Sequence, residues 1–107
     1  MDTDTPPTRD ELRIESVIAA LDHPARLRVV RTLAALEPDE TLACRQILPE
    51  MSRSSASHHW QTLRASGLVD QHREGRTLQT RLRREDLDAR FPGLISAVVG
   101  ETAQDNS

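Results

Sequence analysis

The chain has 107 residues, enough for one modest core but not two, and 36% hydrophobic against 29% charged residues fits a globular domain rather than a disordered one. Trp60 and Phe91 are its only aromatic residues, no apolar run approaches the roughly 18 residues a membrane span needs, and a single cysteine excludes an intramolecular disulfide framework. The formal charge of −3 hides a division: residues 1–52 hold six Arg against ten acids, 53–84 seven against two, and 85–107 one against five. A basic block between acidic flanks can hold phosphate locally while the whole chain stays acidic. The N-terminus is polar and acidic, without the pattern of a signal peptide, so a cytoplasmic location is expected.

Residues 1–8 are expected to form a disordered tail, 9–100 the folded domain, and 101–107 a flexible tail. From about Asp10, apolar residues recur at Leu12, Ile14, Val17, Ile18 and Leu21, a helical spacing with one surplus position. Asp22-His23-Pro24 breaks the pattern, and Pro24 suits the first position of a second helix whose apolar face is Leu27, Val30, Leu33 and Ala34. That helix is expected to end at Glu37-Pro38-Asp39-Glu40. A short isolated strand over Thr41–Ala43 and a brief helix over Arg45–Leu48 follow. Ser52 is a good N-cap for a helix to Ser66, with Gly67 as its C-cap.

Leu68–Arg73 and Arg76–Arg83 then read as a two-stranded hairpin around Glu74-Gly75, with Leu78, Thr80 and Leu82 on one face. Residues 84–90 suit a helical turn. Pro92 is expected to start a last helix carrying Leu94, Ile95, Val98 and Val99, ended by Gly100. The fold class is therefore mainly α with a small β-hairpin.

The helix after Ser52 has two faces. Ala56, Trp60 and Leu63, with His59 beside them, point inward, while Arg53, Ser54, Ser57, His58 and Gln61 fall on the opposite side. Short polar side chains near a helix N-terminus suit the reading of base edges in a major groove, although a solvated surface helix has a similar pattern. The hairpin favours the first alternative. Arg73, Arg76, Arg81, Arg83 and Arg84 gather near a tight turn, opposed only by Asp70 and Glu74, as a wing touching backbone phosphates would require. Charged residues on an edge hairpin also block aggregation, which is the plainer role.

Three segments resemble a known family. Leu21-Asp22-His23-Pro24-Ala25-Arg26-Leu27-Arg28-Val29-Val30 is similar to the L-x-x-P-x-R-L-x-I-L opening of ArsR/SmtB-type repressors. Ser57 to Val69 resembles their recognition-helix signature S-x-H-L-x-x-L-R-x-A-G-L-V, and Arg73-Glu74-Gly75-Arg76 resembles the tip of their wing. Trp60 stands where Leu or Phe is usual, no Tyr follows the wing turn, and the segment from Cys44 to Ser57 is short. The resemblance implies a winged helix-turn-helix homodimer whose first and last helices form the interface, here Leu12, Val17, Leu21, Leu94, Ile95 and Val98. It further implies a transcriptional repressor on double-stranded, pseudo-palindromic DNA. Carried over by position, Ser54, Ser55, Ser57 and His58 would face bases, and Arg53, Arg64, Arg73 and Arg76 would hold phosphates. His59 would be packed and hydrogen-bonded.

Relatives that sense metals carry a cysteine pair or a histidine-rich last helix, and neither set is complete here. Cys44 stands alone, suited to a small buried position. A candidate set for nickel or zinc joins His23 with Asp22, Glu11 or Glu15. The simpler role for His23 is to cap the helix that Pro24 starts. The alternative function is a winged-helix module that contacts a protein and binds no DNA. No catalytic grouping is apparent, since Ser57 and His58 face apart on a helix, so enzymatic activity is not expected.

Overall fold

The computed structural model describes residues 5–37 and 40–104, with side chains as far as Gly100. Pro38 and Asp39, and the outer parts of both expected tails (1–4 and 105–107), lie outside the described residues.

The first helical stretch is split. A 3-10 turn, Arg9–Glu11, precedes helix α1, Ile14–Leu21, and Leu12 and Arg13 between them are extended. A continuous helix from Asp10 would carry Leu12 round with the surplus apolar position. Instead the break lets Leu12 drop into the core, where it is 1% exposed, while Arg90 Nη2 donates to its carbonyl at 2.6 Å. The backbone N–H of Thr8 donates to Glu11 Oε1 at 2.9 Å, a reciprocal cap that starts the 3-10 turn. Pro7 and Thr8 therefore join the fold, and the expected tail boundary at residue 8 shifts toward the N-terminus.

Helix α2, Pro24–Ala34, begins as its sequence dictates. Pro24 occupies the first turn, and His23 Nδ1 accepts from the Ala25 N–H at 3.1 Å. Its buried face is Val29, Val30 and Leu33; Leu27 is only half-buried. Strand β1, Leu42–Ala43, leads directly into the short helix α3, Cys44–Ile47. Helix α4, Arg53–Ser66, is capped by Ser52 Oγ, which accepts from Ser55 N–H at 3.3 Å. It is closed by Gly67 at φ +88°, where the left-handed conformation favours glycine.

The hairpin strands are β2, Val69–Glu74, and β3, Thr77–Leu82, joined by Gly75-Arg76 rather than Glu74-Gly75. Gly75 sits at φ +64° and among the described residues no other residue type takes a positive φ, so the turn places its glycine first, the pattern of a type II′ connection. The strand at residues 41–43 is not isolated. β1 pairs antiparallel with β3, matching Leu42 to Thr80 and Ala43 to Gln79, so the sheet has three strands in the order β1-β3-β2.

Helix α5, Arg84–Arg90, and helix α6, Leu94–Gln104, complete the chain. Pro92 and Gly93 precede α6 and Gly100 lies inside it, so neither its expected start nor its expected end holds. An isolated glycine costs a helix only about 1 kcal/mol, too little to stop one anchored on the core by Ile95, which is fully buried.

One aliphatic core joins these elements. Val17 and Ala20 of α1, Val29, Val30 and Leu33 of α2, Trp60 and Leu63 of α4, Leu82 of β3, Leu87 of α5 and Ile95 of α6 are all buried. Each fully buried aliphatic side chain contributes roughly 1.5–3 kcal/mol. At the rim, the buried Arg83 guanidinium donates to the Pro7 carbonyl at 2.7 Å and to Asp86 at 2.8 Å, strapping the N-terminal segment to α5. Paired in this way, the buried charge is tolerated.

A candidate nucleic-acid interface

The outward face of α4 follows from its inward one. Once Trp60 and Leu63 are packed with His59 beside them, the 3.6-residue period turns Arg53, Ser54, Ser55, Ser57, His58 and Gln61 to solvent, and all six are exposed. The helix then borders two grooves. On one side a cleft of about 760 Å³ lies between α3, α4 and the hairpin, bordered by Arg53 and Ser57. On the other side His58 and Gln61 line a groove with Ser16, Ala19 and Arg26.

The cleft is lined by Arg45, Arg53, Arg64, Arg73 and Arg76, over Leu48, Met51, Trp60 and Leu78, and among the described residues no carboxylate lines it. Among the described residues Arg45, Arg53, Arg73 and Arg76 make no ion pair or side-chain hydrogen bond, and all four are exposed. The other arginines of the basic block are occupied. Arg81 pairs with Asp70 at 3.3 Å, Arg83 with Asp86, and Arg84 with Asp88 at 3.1 Å. The expected cluster of five wing arginines thus reduces to Arg73 and Arg76 at the tip. Arg64 is half-buried, and its Nη1 donates to Gln71 Oε1 at 2.6 Å, which holds it against β2 instead of leaving it free. Sequence reasoning missed Arg45, because a four-residue helix has too little periodicity to show which way it points.

His59 is buried at the junction of α4 with α2. Arg26 Nη1 lies 3.1 Å from His59 Nδ1, and an arginine can only donate, so Nδ1 accepts and Nε2 carries the proton. The His23 ring packs against it at 4.5 Å between centroids with the planes tilted by 54°, and the His58 ring lies at 5.8 Å. Burial, then the neighbouring His23, Arg26 and His58, hold its pKa below the ordinary value of 6.5. His59 is packed and hydrogen-bonded as expected.

The candidate metal ligands do not converge. Glu11 caps the 3-10 turn, Glu15 pairs with Arg13 at 3.1 Å, and His23 Nδ1 is spent on the Ala25 N–H. Among the described residues no group of three or more His, Cys, Asp or Glu side chains is placed to hold a metal ion. Cys44 Sγ lies 2.9 Å from Thr80 Oγ1, and burial pushes the thiol pKa up, which disfavours a reactive thiolate.

The expected interface residues divide as well. Leu12, Val17 and Ile95 are enclosed by the chain's own core, so they offer no surface to a second chain. Leu21, Leu94 and Val98 are half-buried against that core. The large apolar side chains that α1 exposes are instead Ile14, 38% exposed, and Ile18, 54% exposed. No helix of the described residues is long and apolar enough to cross a membrane.

Comparison with known proteins agrees with this geometry. A helix-turn-helix domain family matches residues 21–72, which run from the last residue of α1 into β2. An uncharacterised HTH-type transcriptional regulator of Bacillus subtilis, YceK, is 28% identical over 91 residues, covering 83% of this chain and 88% of its own. The solution structure of Mb0332 from Mycobacterium bovis is described as a homodimeric winged helix-turn-helix DNA-binding domain of a possible ArsR-family transcriptional regulator. It is 30% identical, covers 86% of this chain and 82% of its own, and superposes with a TM-score of 0.63. The transcriptional repressor BigR from Xylella fastidiosa, 21% identical over 82% of this chain and 84% of its own, shares the fold at a TM-score of 0.61. The order of elements, the outward polar face of α4, the hairpin beside it and these likenesses together place the chain in the ArsR family of winged helix-turn-helix transcriptional regulators.

Proposed function

We propose that this regulator binds a pseudo-palindromic operator as a homodimer and represses transcription there, with α4 in the major groove and the wing tip on the flanking backbone. One observation carries the reading. Among the described residues, four arginines without partners border an acid-free cleft beside the exposed polar face of α4, whereas Arg81, Arg83 and Arg84 of the same basic block are paired with carboxylates. Arg53, Arg73, Arg76 and Arg45 are the phosphate ligands in this reading. Ser54, Ser57, His58 and Gln61 meet base edges, with Ser55 at the helix start.

Homodimerisation is supported by Ile14 and Ile18, which leave apolar surface on α1 without a partner in the chain. A response to nickel or zinc would need ligands from a second chain, because Glu11, Glu15 and His23 are otherwise engaged within one.

The test is fluorescence anisotropy with the DNA upstream of the protein's own gene, at several salt concentrations, with and without nickel or zinc. Tight binding that weakens with salt is expected, and a reconstituted transcription assay on the same DNA should show fewer transcripts as protein is added. Arg76→Ala should weaken binding to every sequence and reduce the salt slope by about 1, the share of one phosphate contact. His58→Ala should relax preference at one base position, by roughly 1–3 kcal/mol. Failure to bind any duplex would favour a protein-binding winged helix instead.

A further inference from the structure

Gln71 sits in β2, set back from the tip, and belongs to none of the DNA-facing groups above. Its half-buried amide nevertheless touches three other elements. Oε1 accepts from Arg64 Nη1 of α4 at 2.6 Å, and Nε2 donates to Cys44 Sγ of α3 at 3.0 Å and to Thr80 Oγ1 of β3 at 3.0 Å. Thr80 is fully buried, and its hydroxyl also meets the Cys44 thiol. The guanidinium has only donors to offer, so it fixes which way the amide faces; a flipped amide would set donor against donor. Three hydrogen bonds of this side chain therefore tie β2 to α4, to α3 and to the neighbouring strand β3.

We propose that Gln71 is a positioning residue, which sets the angle of the wing against the recognition helix, with Arg64 as the arm of that bracket and not a phosphate ligand. The inference rests on the DNA-binding reading above. The two-residue connection Gly67-Leu68 fixes only the base of β2 against α4, whereas Gln71 ties the strand to the helix farther out, on the way to the tip. β1 pairs with β3 only at Thr80 and Gln79, so the outer hairpin has two strands, an arrangement that is marginal in water without further support. The turn at Gly75-Arg76 lies four to five residues beyond Gln71, about 13–17 Å at roughly 3.3 Å per residue. A tilt of about 10° at the bracket moves the tip by roughly 2–3 Å, enough to break hydrogen bonds that require donor and acceptor within about 3.2 Å.

Gln71→Met keeps the length of the side chain and removes its three hydrogen bonds. Anisotropy should show binding weakened on the order of tenfold, and a salt slope reduced by about 2 as the contacts of Arg73 and Arg76 are lost together. Arg76→Ala added to Gln71→Met should then cost less than twofold more, although it is costly in the wild type. Arg64→Met, which leaves the Cys44–Thr80 pair intact, should reproduce the effect if a fold defect obscures the first variant. In the DNA-free protein, hydrogen exchange should quicken at the amides of residues 72–79 but not in α4. An unchanged salt slope, or a full additive loss with Arg76→Ala, overturns the proposal while leaving DNA binding standing. If the wild type binds no duplex, the functional reading fails, and the exchange pattern alone decides whether Gln71 holds the wing.

Discussion

Replacing Gly67 by alanine imposes two separable costs at the end of the recognition helix. The first is conformational. Gly67 holds φ +88°, and a residue with a Cβ pays about 1–2 kcal/mol in the left-handed region. The second is steric: a Cβ built there lies 2.1 Å from Leu12 Cδ2 and 3.1 Å from Pro7 Cγ. Leu12 is 1% exposed and enclosed by the core, so its methyl cannot swing into solvent, and overpacking of this kind adds about 1–3 kcal/mol. Gly67→Ala is therefore expected to lose about 2–5 kcal/mol. Gly75 provides the control, because its φ is +64° and nothing stands within 4 Å of its Cβ position. Gly75→Ala should carry the conformational cost alone. Urea unfolding at one fixed protein concentration measures both, since a dimer's stability depends on concentration. Shortening the obstructing side chain supplies a further check. Leu12→Ala with Gly67→Ala should be less destabilising than the sum of the two singles by at least about 1 kcal/mol. Equal losses for Gly67→Ala and Gly75→Ala would refute the steric argument.

Two further outcomes are expected. His59 has its pKa depressed in the folded state, mainly by burial, so the unfolded chain takes up the proton first and stability falls as pH drops below about 6.5. His59→Gln offers Arg26 an acceptor that does not titrate, and urea midpoints between pH 7 and about 5 should flatten in that variant; an unchanged slope would remove His59 from the account. Ile18→Glu should shift the protein toward monomer in analytical ultracentrifugation while leaving its helical circular dichroism intact, because Ile18 is 54% exposed within one chain. A dimer unaffected by the change would place the interface elsewhere.

What could be read from the sequence was local chemistry. Ser52 and Gly67 announce the ends of α4 through capping preferences that need no tertiary information, and His23-Pro24 announces the start of α2 in the same way. The alternation in β3 correctly sets Leu78, Thr80 and Leu82 on one face. What stayed hidden depends on partners distant in sequence. The break at Leu12 follows from its seat against Gly67, and the third strand forms only because Leu42 finds Thr80. Gly100 stays helical because Ile95 anchors its helix. The candidate site shows the same division. The outward face of α4 was legible from periodicity, but which arginines are free was not. Arg81, Arg83 and Arg84 look identical to Arg73 and Arg76 in composition, and only the positions of Asp70, Asp86 and Asp88 separate the occupied from the free.

Trp60 gives the molecule an optical property. The chain has no tyrosine and one tryptophan, and that indole lines the cleft between the recognition helix and the wing. Its emission therefore arises at a single known place, next to the free arginines and one helical turn from Arg64, the partner of Gln71. The indole is 5% exposed, so a molecule that packs against it in the cleft, or a swing of the wing that wets it, is expected to change the colour and yield of that light. The unmodified protein is thus its own reporter for the cleft, with no label to disturb it.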